Sequence, residues 1–150
     1  MLTVIQRVSR AAVRVDGEVV GAVERGAMLL VAVERGDVEA DAVATAKKIA
    51  SLRFFPGATP MDRTLAEVGG GVLVVSQFTL AGSLRKGRRP SFDGAELPER
   101  ARALYEAVAA ALRAEGLEVA TGRFAAHMEV ELVNDGPVTF LLRSVAGQVQ

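Results

Sequence analysis

The stretch VSRAAVRVDGEVVGAV, residues Val8–Val23, decides the class of fold. Apolar side chains recur at about every second position, as in a β-strand with one buried face, and the alternation breaks at Asp16-Gly17. Asp-Gly is a dipeptide typical of tight hairpin turns. We therefore predict two antiparallel strands, at about residues 2–15 and 18–24.

The segments that follow this hairpin add one strand and one helix. The apolar run AMLLVAVE (27–34) predicts a strand with both faces buried. Apolar residues at helical spacing then predict a helix at 38–53, with Asp37 as its N-cap and Glu39 and Asp41 in its first turn. We interpret these carboxylates as a helix start, and the sequence predicts no metal site.

The rest of the chain predicts one more helix and four strands. VLVVSQFTL (72–80) is typical of a buried strand, and Pro98 and Gly116 mark the two ends of the second helix. The last strands are predicted at 117–121, 126–133 and 138–142. The order βββ-α-β-α-βββ predicts a single α/β domain of the α+β type over residues 1–150, a mixed and mostly antiparallel sheet with two packed helices.

Composition excludes several classes of chemistry. Half of the 150 residues are hydrophobic, none is cysteine, and His127 is the single histidine. Disulfides, thiolate zinc sites, cysteine nucleophiles and multi-histidine metal sites are therefore ruled out. The apolar runs are too short to cross a bilayer and the first residues do not resemble a signal peptide, so we expect a cytoplasmic protein without a membrane partner.

The segment SQFTL (Ser76–Leu80) carries two hydroxyls and an amide at the end of a predicted strand. Ser76 or Thr79 could act as a nucleophile, or the segment could donate to an oxyanion. A nucleophile needs a base within hydrogen-bonding reach, and His127 is predicted on an exposed strand with no known proximity to either residue. From the residues alone, a strand end whose hydroxyls bond to local backbone groups is favoured.

The segment SLRKGRRPSF (83–92) is the most basic part of the chain. Four cations fall within five positions without an acid, although the formal net charge of the chain is zero: Arg85, Lys86, Arg88 and Arg89. Guanidinium groups suit phosphate oxygens, which favours a polyanionic partner. A solvated loop tip is the alternative, and both interpretations stay open.

The segment VNDGPVTF (Val133–Phe140) places turn residues between two strand-like segments. Gly136 has no Cβ, and Pro137 has a fixed φ and tolerates a cis peptide bond. The pair could form a hairpin bend, or it could present rigid backbone to a ligand.

Taken together, these segments resemble the D-aminoacyl-tRNA deacylase family. The resemblance runs the length of the chain, through MLTVIQRVSRAAVRVDGEVVG, VVSQFTL, RKGRRPSF, TGRFAAHM and VNDGPVTFLL. SQFTL and NDGPVT occur in the order and at the spacing of the family's motifs.

The resemblance implies a homodimer that hydrolyses the ester between a D-amino acid and the 3′ end of tRNA, without a cofactor. Gly136-Pro137 would be cis and enter the partner subunit's site, where its carbonyl oxygens hold the substrate's amino group and exclude an L side chain. Backbone N–H groups of Gln77 and Phe78 would polarise the ester carbonyl, and Ser76 would order the segment.

In the same way, the resemblance implies roles for the substrate's own hydroxyl and for a nucleotide pocket. The terminal ribose 2′-hydroxyl, and not Thr79, would assist the reaction. Phe124 and Met128 would line a pocket for the terminal adenosine, and Arg85, Lys86, Arg88 and Arg89 would contact tRNA phosphates. Glycyl-tRNA would also be cleaved, because glycine has no side chain to exclude.

The chain departs from the family's pattern in two loops. Ala81-Gly82-Ser83 replaces a run that usually begins with an aromatic residue. In PGATPMDRTL, Met61 is kept and Asp62 stands for Asn. Two alternatives to the deacylase remain: a nucleic-acid-binding module on the same fold, and a related deacylase of relaxed chirality that acts on L-alanyl-tRNA.

Overall fold

Seven strands form one sheet, and the computed structural model describes residues 1–150. The strands and helices are β1 (Leu2–Val15), β2 (Glu18–Val23), β3 (Gly26–Ala32), α1 (Glu39–Ser51), β4 (Gly71–Ser76), a 3₁₀ helix (Phe78–Ala81), α2 (Pro98–Ala114), β5 (Val119–Thr121), β6 (Glu129–Val145) and β7 (Gln148–Val149). No helix is long and apolar enough to span a membrane.

The sheet is mixed, with the strand order β5-β4-β3-β1-β6-β7 and with β2 paired to β1. β1 pairs antiparallel with β3 through its first half, with β2 through its second half and with β6 along nearly its whole length. β3, β4 and β5 run parallel to one another. The predicted α+β class, the mostly antiparallel sheet and the two helices are therefore confirmed.

The two helices cover one face of the sheet and bury the main core. Twenty-one buried residues form this core, among them Ile49 from α1, Leu104 from α2 and Leu29 from β3. A smaller cluster that includes Met28 and Leu73 lies on the other face. Neighbouring residues of β3 thus contribute to both clusters, as predicted for a strand buried on both faces.

The Gly-Pro segment does not separate two strands as predicted, because β6 is continuous from Glu129 to Val145. The register with β1 jumps from Gln6 opposite Thr139 to Val8 opposite Asn134, so the intervening residues bulge out of the ladder. The Asn134 side chain closes the bulge: its Oδ1 accepts from the Val138 N–H at 2.7 Å, and its Nδ2 donates to Thr139 Oγ1 at 3.0 Å. A bulge accommodates Pro137, which has no N–H for a ladder.

Asp37 is not the N-cap that the sequence predicted. Val38 is the cap residue of α1, and its N–H donates to the carboxylate of Asp41 at 2.9 Å. Asp37 is buried instead, and it accepts from the Glu34 N–H at 2.7 Å and from the α-ammonium of Met1 at 2.5 Å. A side chain already committed to these donors is unavailable as a cap.

Two other predicted bounds were wrong. The strand predicted at 72–80 ends at Ser76, where the chain turns into the 3₁₀ helix. The strand predicted at 126–133 begins only at Glu129, so His127 lies in a loop.

Gly26 is required for the close pairing of β3 with β4. A Cβ at Gly26 would lie 1.9 Å from the carbonyl oxygen of Gly71, its partner in β4. We expect Gly26→Ala to lower the free energy of unfolding by about 1–3 kcal/mol, because the strands must move apart. Urea denaturation measures the loss. Gly94→Ala is the matched control, since its Cβ would make an ordinary 3.4 Å contact; equal losses would contradict the expectation.

Candidate active site at the ends of the parallel strands

A cavity of about 620 Å³ opens where the three parallel strands end. The last residues of β3 and β4 form its floor, and the loop after β5 forms one wall. Of the 20 lining residues, 14 are hydrophobic, so the cavity is apolar with a few polar groups, as ligand sites usually are. The carboxyl ends of parallel strands are also the usual position of ligand sites in α/β sheets.

The SQFTL segment forms the floor of the cavity. Ser76, Gln77 and Phe78 line it, whereas Thr79 does not. The Gln77 N–H donates to the carbonyl oxygen of Val31 at 2.8 Å and so continues the β3–β4 ladder by one residue. The Phe78 N–H begins the 3₁₀ helix and donates to no group of the chain, because the first N–H groups of a helix have no partner within it. Of the two N–H groups predicted as oxyanion donors, that of Gln77 is therefore engaged in the ladder and that of Phe78 is free.

No hydrogen-bonded catalytic relay is present in the cavity. His127 lines the same cavity as Ser76, which sequence reasoning could not foresee, but no hydrogen bond joins the two side chains. Thr79 Oγ1 accepts from the Gln77 side-chain amide at 2.5 Å and has no imidazole partner. No group of three or more His, Cys, Asp or Glu side chains is placed to hold a metal ion.

The loop after β5 and helix α2 form an aromatic wall. Phe124 and Met128 both line the cavity, as the family resemblance implied, and the Phe124 ring packs against Tyr105 with ring centroids 5.8 Å apart. Gly122 allows the loop to close on itself, since a Cβ there would lie 2.8 Å from the Met128 sulfur. Ring faces in an apolar wall provide stacking surface for a planar ligand.

Tyr105 is the buried anchor of this wall. Its hydroxyl donates to the carbonyl oxygen of Val74 in β4 at 2.8 Å, which ties α2 to the sheet. Burial of the phenol raises the pKa of Tyr105 to about 12, and the negative charge of Glu106 adds to the shift. The hydroxyl is therefore a hydrogen-bond donor at neutral pH and not an acid or a base.

The basic loop lies beside the rim of the cavity. The backbones of Ser83 and Ser91 exchange two hydrogen bonds, of 2.7 and 3.0 Å, and enclose the four cations in one exposed loop. None of the four forms an ion pair with the chain. Phe92 follows the loop and lines the cavity, where its ring meets that of Phe78 with centroids 5.1 Å apart.

Gly136 and Pro137 do not line the cavity of their own chain. Their peptide bond is cis and both residues are exposed. The Arg7 guanidinium holds the segment from β1: it donates to the carbonyl oxygens of Asp135 at 2.8 Å and of Phe54 at 2.7 Å. Arg7 therefore anchors the bulge, which does not contribute to the cavity of its own chain.

The structure thus divides the predicted site residues into four groups. It brings Ser76, Gln77, Phe78, Phe124 and Met128 together in one cavity, and it leaves Thr79 at the edge, the basic loop on the rim and Gly136-Pro137 elsewhere. Sequence reasoning missed Tyr105 and Phe92 as cavity residues. Tyr105 lies on the apolar face of α2, where a helical pattern cannot distinguish a core residue from a residue that lines a cavity.

The architecture defines a class of protein. The fold matches the solved structure of the c-Myc DNA Unwinding Element Binding Protein with a TM-score of 0.90 at 35% identity, covering 97% of this chain and all of that one. It also matches a probable eukaryotic D-amino acid tRNA deacylase with a TM-score of 0.80 at 17% identity, covering 93% and 97%. The second likeness, at 17% identity, shows a shared fold.

Sequence relatives then identify the family. Residues 4–143 match the profile of the family described as D-Tyr-tRNA(Tyr) deacylase. The D-aminoacyl-tRNA deacylases of Anaeromyxobacter dehalogenans (strain 2CP-C) and Koribacter versatilis (strain Ellin345) are 60% and 56% identical to the chain, each over 96% of it and 97% of the relative. The chain belongs to this family, and the prediction of a hydrolase of the deacylase class is confirmed.

The raised pKa of Tyr105 can be measured directly, because the chain has a single tyrosine. We expect phenolate absorbance to appear near pH 12 in the folded chain and near pH 10 in urea. The folded-state pKa is the higher one, so the stabilisation from the neutral phenol is complete below pH 10 and is lost as pH rises through 12. Between pH 10 and 12, the free energy of unfolding of the wild type should fall more steeply than that of Tyr105→Phe. Titration of Tyr105 near pH 10 in the folded chain would contradict the assignment.

Proposed function

We propose that the chain hydrolyses the ester bond between a D-amino acid and the 3′ end of tRNA, and releases the free amino acid and tRNA. The observation that carries the proposal is the unpartnered Phe78 N–H, at the floor of an apolar cavity with an aromatic wall. The relatives that share 56–60% of the sequence carry the name D-aminoacyl-tRNA deacylase.

The terminal adenosine of the tRNA would occupy the wall formed by Phe124 and Met128. An adenine ring can stack on an aromatic face, and such stacking is worth about 1–3 kcal/mol per base. Phe124 is held for this role by Tyr105 on one side and by the Arg102 guanidinium, 5.1 Å from its ring centroid, on another. The ribose of an adenosine in this position would share the cavity with the SQFTL floor.

The chemistry needs no protein nucleophile. An aminoacyl ester is already activated, and one oriented donor to the developing oxyanion is worth about 3 kcal/mol. We assign this donor to the Phe78 N–H, with Ser76 and Gln77 holding the turn and Thr79 outside the reaction. A water molecule would attack the ester carbonyl, and the adjacent ribose 2′-hydroxyl would hold that water in place by a hydrogen bond, so no Ser-His pair is needed. The carbonyl–O3′ bond then breaks, the amino acid leaves as the free acid, and O3′ takes up the proton.

Gly136-Pro137 would read chirality in the site of a partner subunit. Within one chain the pair is away from the cavity, yet it is exposed, fixed by Arg7 and almost free of side chain. Carbonyl oxygens presented by this bulge can bind the substrate's amino group and leave no space for an L side chain. Glycyl-tRNA would pass the same filter, since glycine has no side chain.

A homodimer is supported by the surface around this bulge. The edge of β6 opposite β1 pairs only with β7, at Ser144 and Val145, so most of this edge is unpaired. Leu141 is 73% exposed on the same strand, with Phe140 and Val133 also exposed. An exposed strand edge that is apolar and unpaired tends to associate with another chain, so it suits an interface between two copies.

A nucleic-acid-binding module is the second candidate function. Two observations favour it: the basic loop is free of ion pairs, and the c-Myc DNA Unwinding Element Binding Protein shares the fold at 35% identity. In this case the Arg85–Arg89 cations would bind phosphates, and the cavity would have no catalytic role. Tight binding of uncharged tRNA or DNA, without ester hydrolysis, would favour the module.

Hydrolysis of matched D-tyrosyl-tRNA and L-tyrosyl-tRNA tests the proposal, and Gly136→Ala tests the chiral filter. We expect the wild type to cleave only the D ester. Gly136 has φ +139°, and a Cβ would lie 2.8 Å from a Val138 methyl and 3.1 Å from the Arg7 guanidinium. The bulge of the variant must shift to relieve about 1–3 kcal/mol of strain. D-ester hydrolysis should therefore fall about ten- to a hundredfold.

Gly17→Ala is the matched control for this variant. Gly17 also has positive φ, +80°, but its Cβ would meet nothing within 4 Å, so activity and chirality should be unchanged. A Gly136→Ala protein with full activity and D-selectivity would contradict the filter. Comparable cleavage of both esters by the wild type would leave the reaction but remove D-selectivity, and cleavage of neither would favour the binding module.

If the substrate's 2′-hydroxyl assists the reaction and Thr79 does not, a change at each of these groups should have the opposite effect on the rate. Thr79→Val should keep the rate of D-tyrosyl-tRNA hydrolysis within about threefold, because Thr79 touches no base. A substrate whose terminal ribose lacks the 2′-hydroxyl should react at least about a hundredfold more slowly. Single-turnover rates measure both effects. Loss of activity in Thr79→Val with full reaction of the deoxy substrate would make Thr79 the nucleophile.

A further inference from the structure

A second cavity, of about 510 Å³, lies on the other side of the aromatic wall. Helix α2 forms one side of it and the segment from Thr121 to Phe124 forms the other. Its character differs from that of the first cavity, since only three of its nine lining residues are hydrophobic. Three arginines dominate the lining: Arg102, Arg113 and Arg123.

These arginines form a local positive field in a chain of zero net charge. Glu106 is the only acidic residue of the lining, so the cavity carries a formal charge of +3 − 1 = +2. None of the three arginines forms an ion pair within 4.0 Å. Arg113 makes one long bond of 3.4 Å to the Val119 carbonyl oxygen, and Arg102 lies over the Phe124 ring. Most of their N–H donors are therefore available to an anion.

The spacing of the arginines fits a strand of phosphates better than a single anion. Arg102 and Arg113 are eleven residues apart on α2, three turns, so they share a face and lie about 16 Å apart along the helix axis. Arg123 follows β5 on the opposite side of the cavity. Guanidinium groups bind phosphate oxygens through two parallel N–H donors, and a row of them follows a nucleic-acid backbone.

The two cavities adjoin at the aromatic wall, which separates them. Tyr105 and Phe124 line both of them. An RNA strand whose last base stacks on Phe124 in the first cavity would have the second cavity within reach past this wall. The second cavity is the basic surface next to it on the α2 side.

We propose that this second cavity binds the phosphates that immediately precede the terminal adenosine of the RNA substrate, through Arg102, Arg113 and Arg123. The proposal rests on the function proposed above, since it places the adenosine at Phe124. It is separate from the role given to the loop cations Arg85–Arg89, which lie beside Phe92 on another part of the rim. The second cavity would thus guide the 3′ strand of the RNA, and the basic loop would bind the RNA elsewhere.

The experiment compares two substrates and one double variant. Arg113→Gln/Arg123→Gln removes two cations and keeps Arg102, which packs on the adenosine wall. Wild type and double variant are both assayed with D-tyrosyl-tRNA and with D-tyrosyl-adenosine, an ester without phosphates. We expect KM for the tRNA to rise about tenfold with kcat unchanged, and KM for D-tyrosyl-adenosine to stay the same. The salt dependence of kcat/KM for the tRNA should weaken by about 0.7 in log-log slope per lost phosphate contact.

Lys47→Gln is the matched control, because it removes an exposed cation from α1 that lines neither cavity. It should leave all of these parameters unchanged. An unchanged KM and salt slope in the double variant would overturn the proposal. So would an equal loss on D-tyrosyl-adenosine, which would mean that the arginines act only on the packing of the pocket.

Direct binding separates a failure of this proposal from a failure of the proposed function. A short RNA that ends in the tRNA 3′ sequence and carries no amino acid is titrated with the wild type and with the double variant. Fluorescence anisotropy measures the binding. Weaker binding by the double variant supports the second cavity as an RNA site, even if the wild type hydrolyses neither D-tyrosyl-tRNA nor D-tyrosyl-adenosine. Equal binding, together with normal hydrolysis of D-tyrosyl-tRNA and D-tyrosyl-adenosine by the wild type, would overturn the role of the second cavity and leave the deacylase function intact.

Discussion

The parallel pairing of β3, β4 and β5 is the constraint on which the rest of the structure depends. Because the three strands run in one direction, the segments that leave their carboxyl ends meet at one edge of the sheet. This edge receives SQFTL after β4 and the Phe124 loop after β5. Gly26 makes the first pair possible by letting the backbone of β3 approach that of β4 closely. The cavity is therefore a consequence of strand direction.

The same ladder decides which backbone donor is free. Its last bond, from the Gln77 N–H to Val31, fixes the position at which β4 ends, and the tight turn that follows leaves the Phe78 N–H without a partner. An unpaired N–H in an apolar cavity is costly unless a ligand or water satisfies it. In the deacylase reaction proposed above, the oxyanion would be that partner.

Separate surfaces would divide recognition of the substrate. The aromatic wall offers stacking to a base, the bulge at Gly136-Pro137 offers carbonyl oxygens to an amino group, and two arginine-rich surfaces offer donors to phosphates. Tyr105 connects the aromatic wall to the core, since its buried hydroxyl ties α2 to β4 while its ring supports Phe124, and Arg7 fixes the bulge. The rigid sheet thus holds groups that come from distant parts of the sequence.

The sequence by itself determined the α+β class, the first hairpin, both helices and the family, because alternation, helical spacing and the SQFTL and NDGPVT motifs are local patterns. The family resemblance also implied that Phe124 and Met128 line a pocket, and both residues do line the cavity. Only the tertiary structure decided that Asp37 binds Met1 instead of capping α1, that β6 runs through Gly136-Pro137 as a bulge, and that the basic surface beside Phe124 exists. These features depend on which segments become neighbours, and long-range pairing leaves no periodic trace in any one segment.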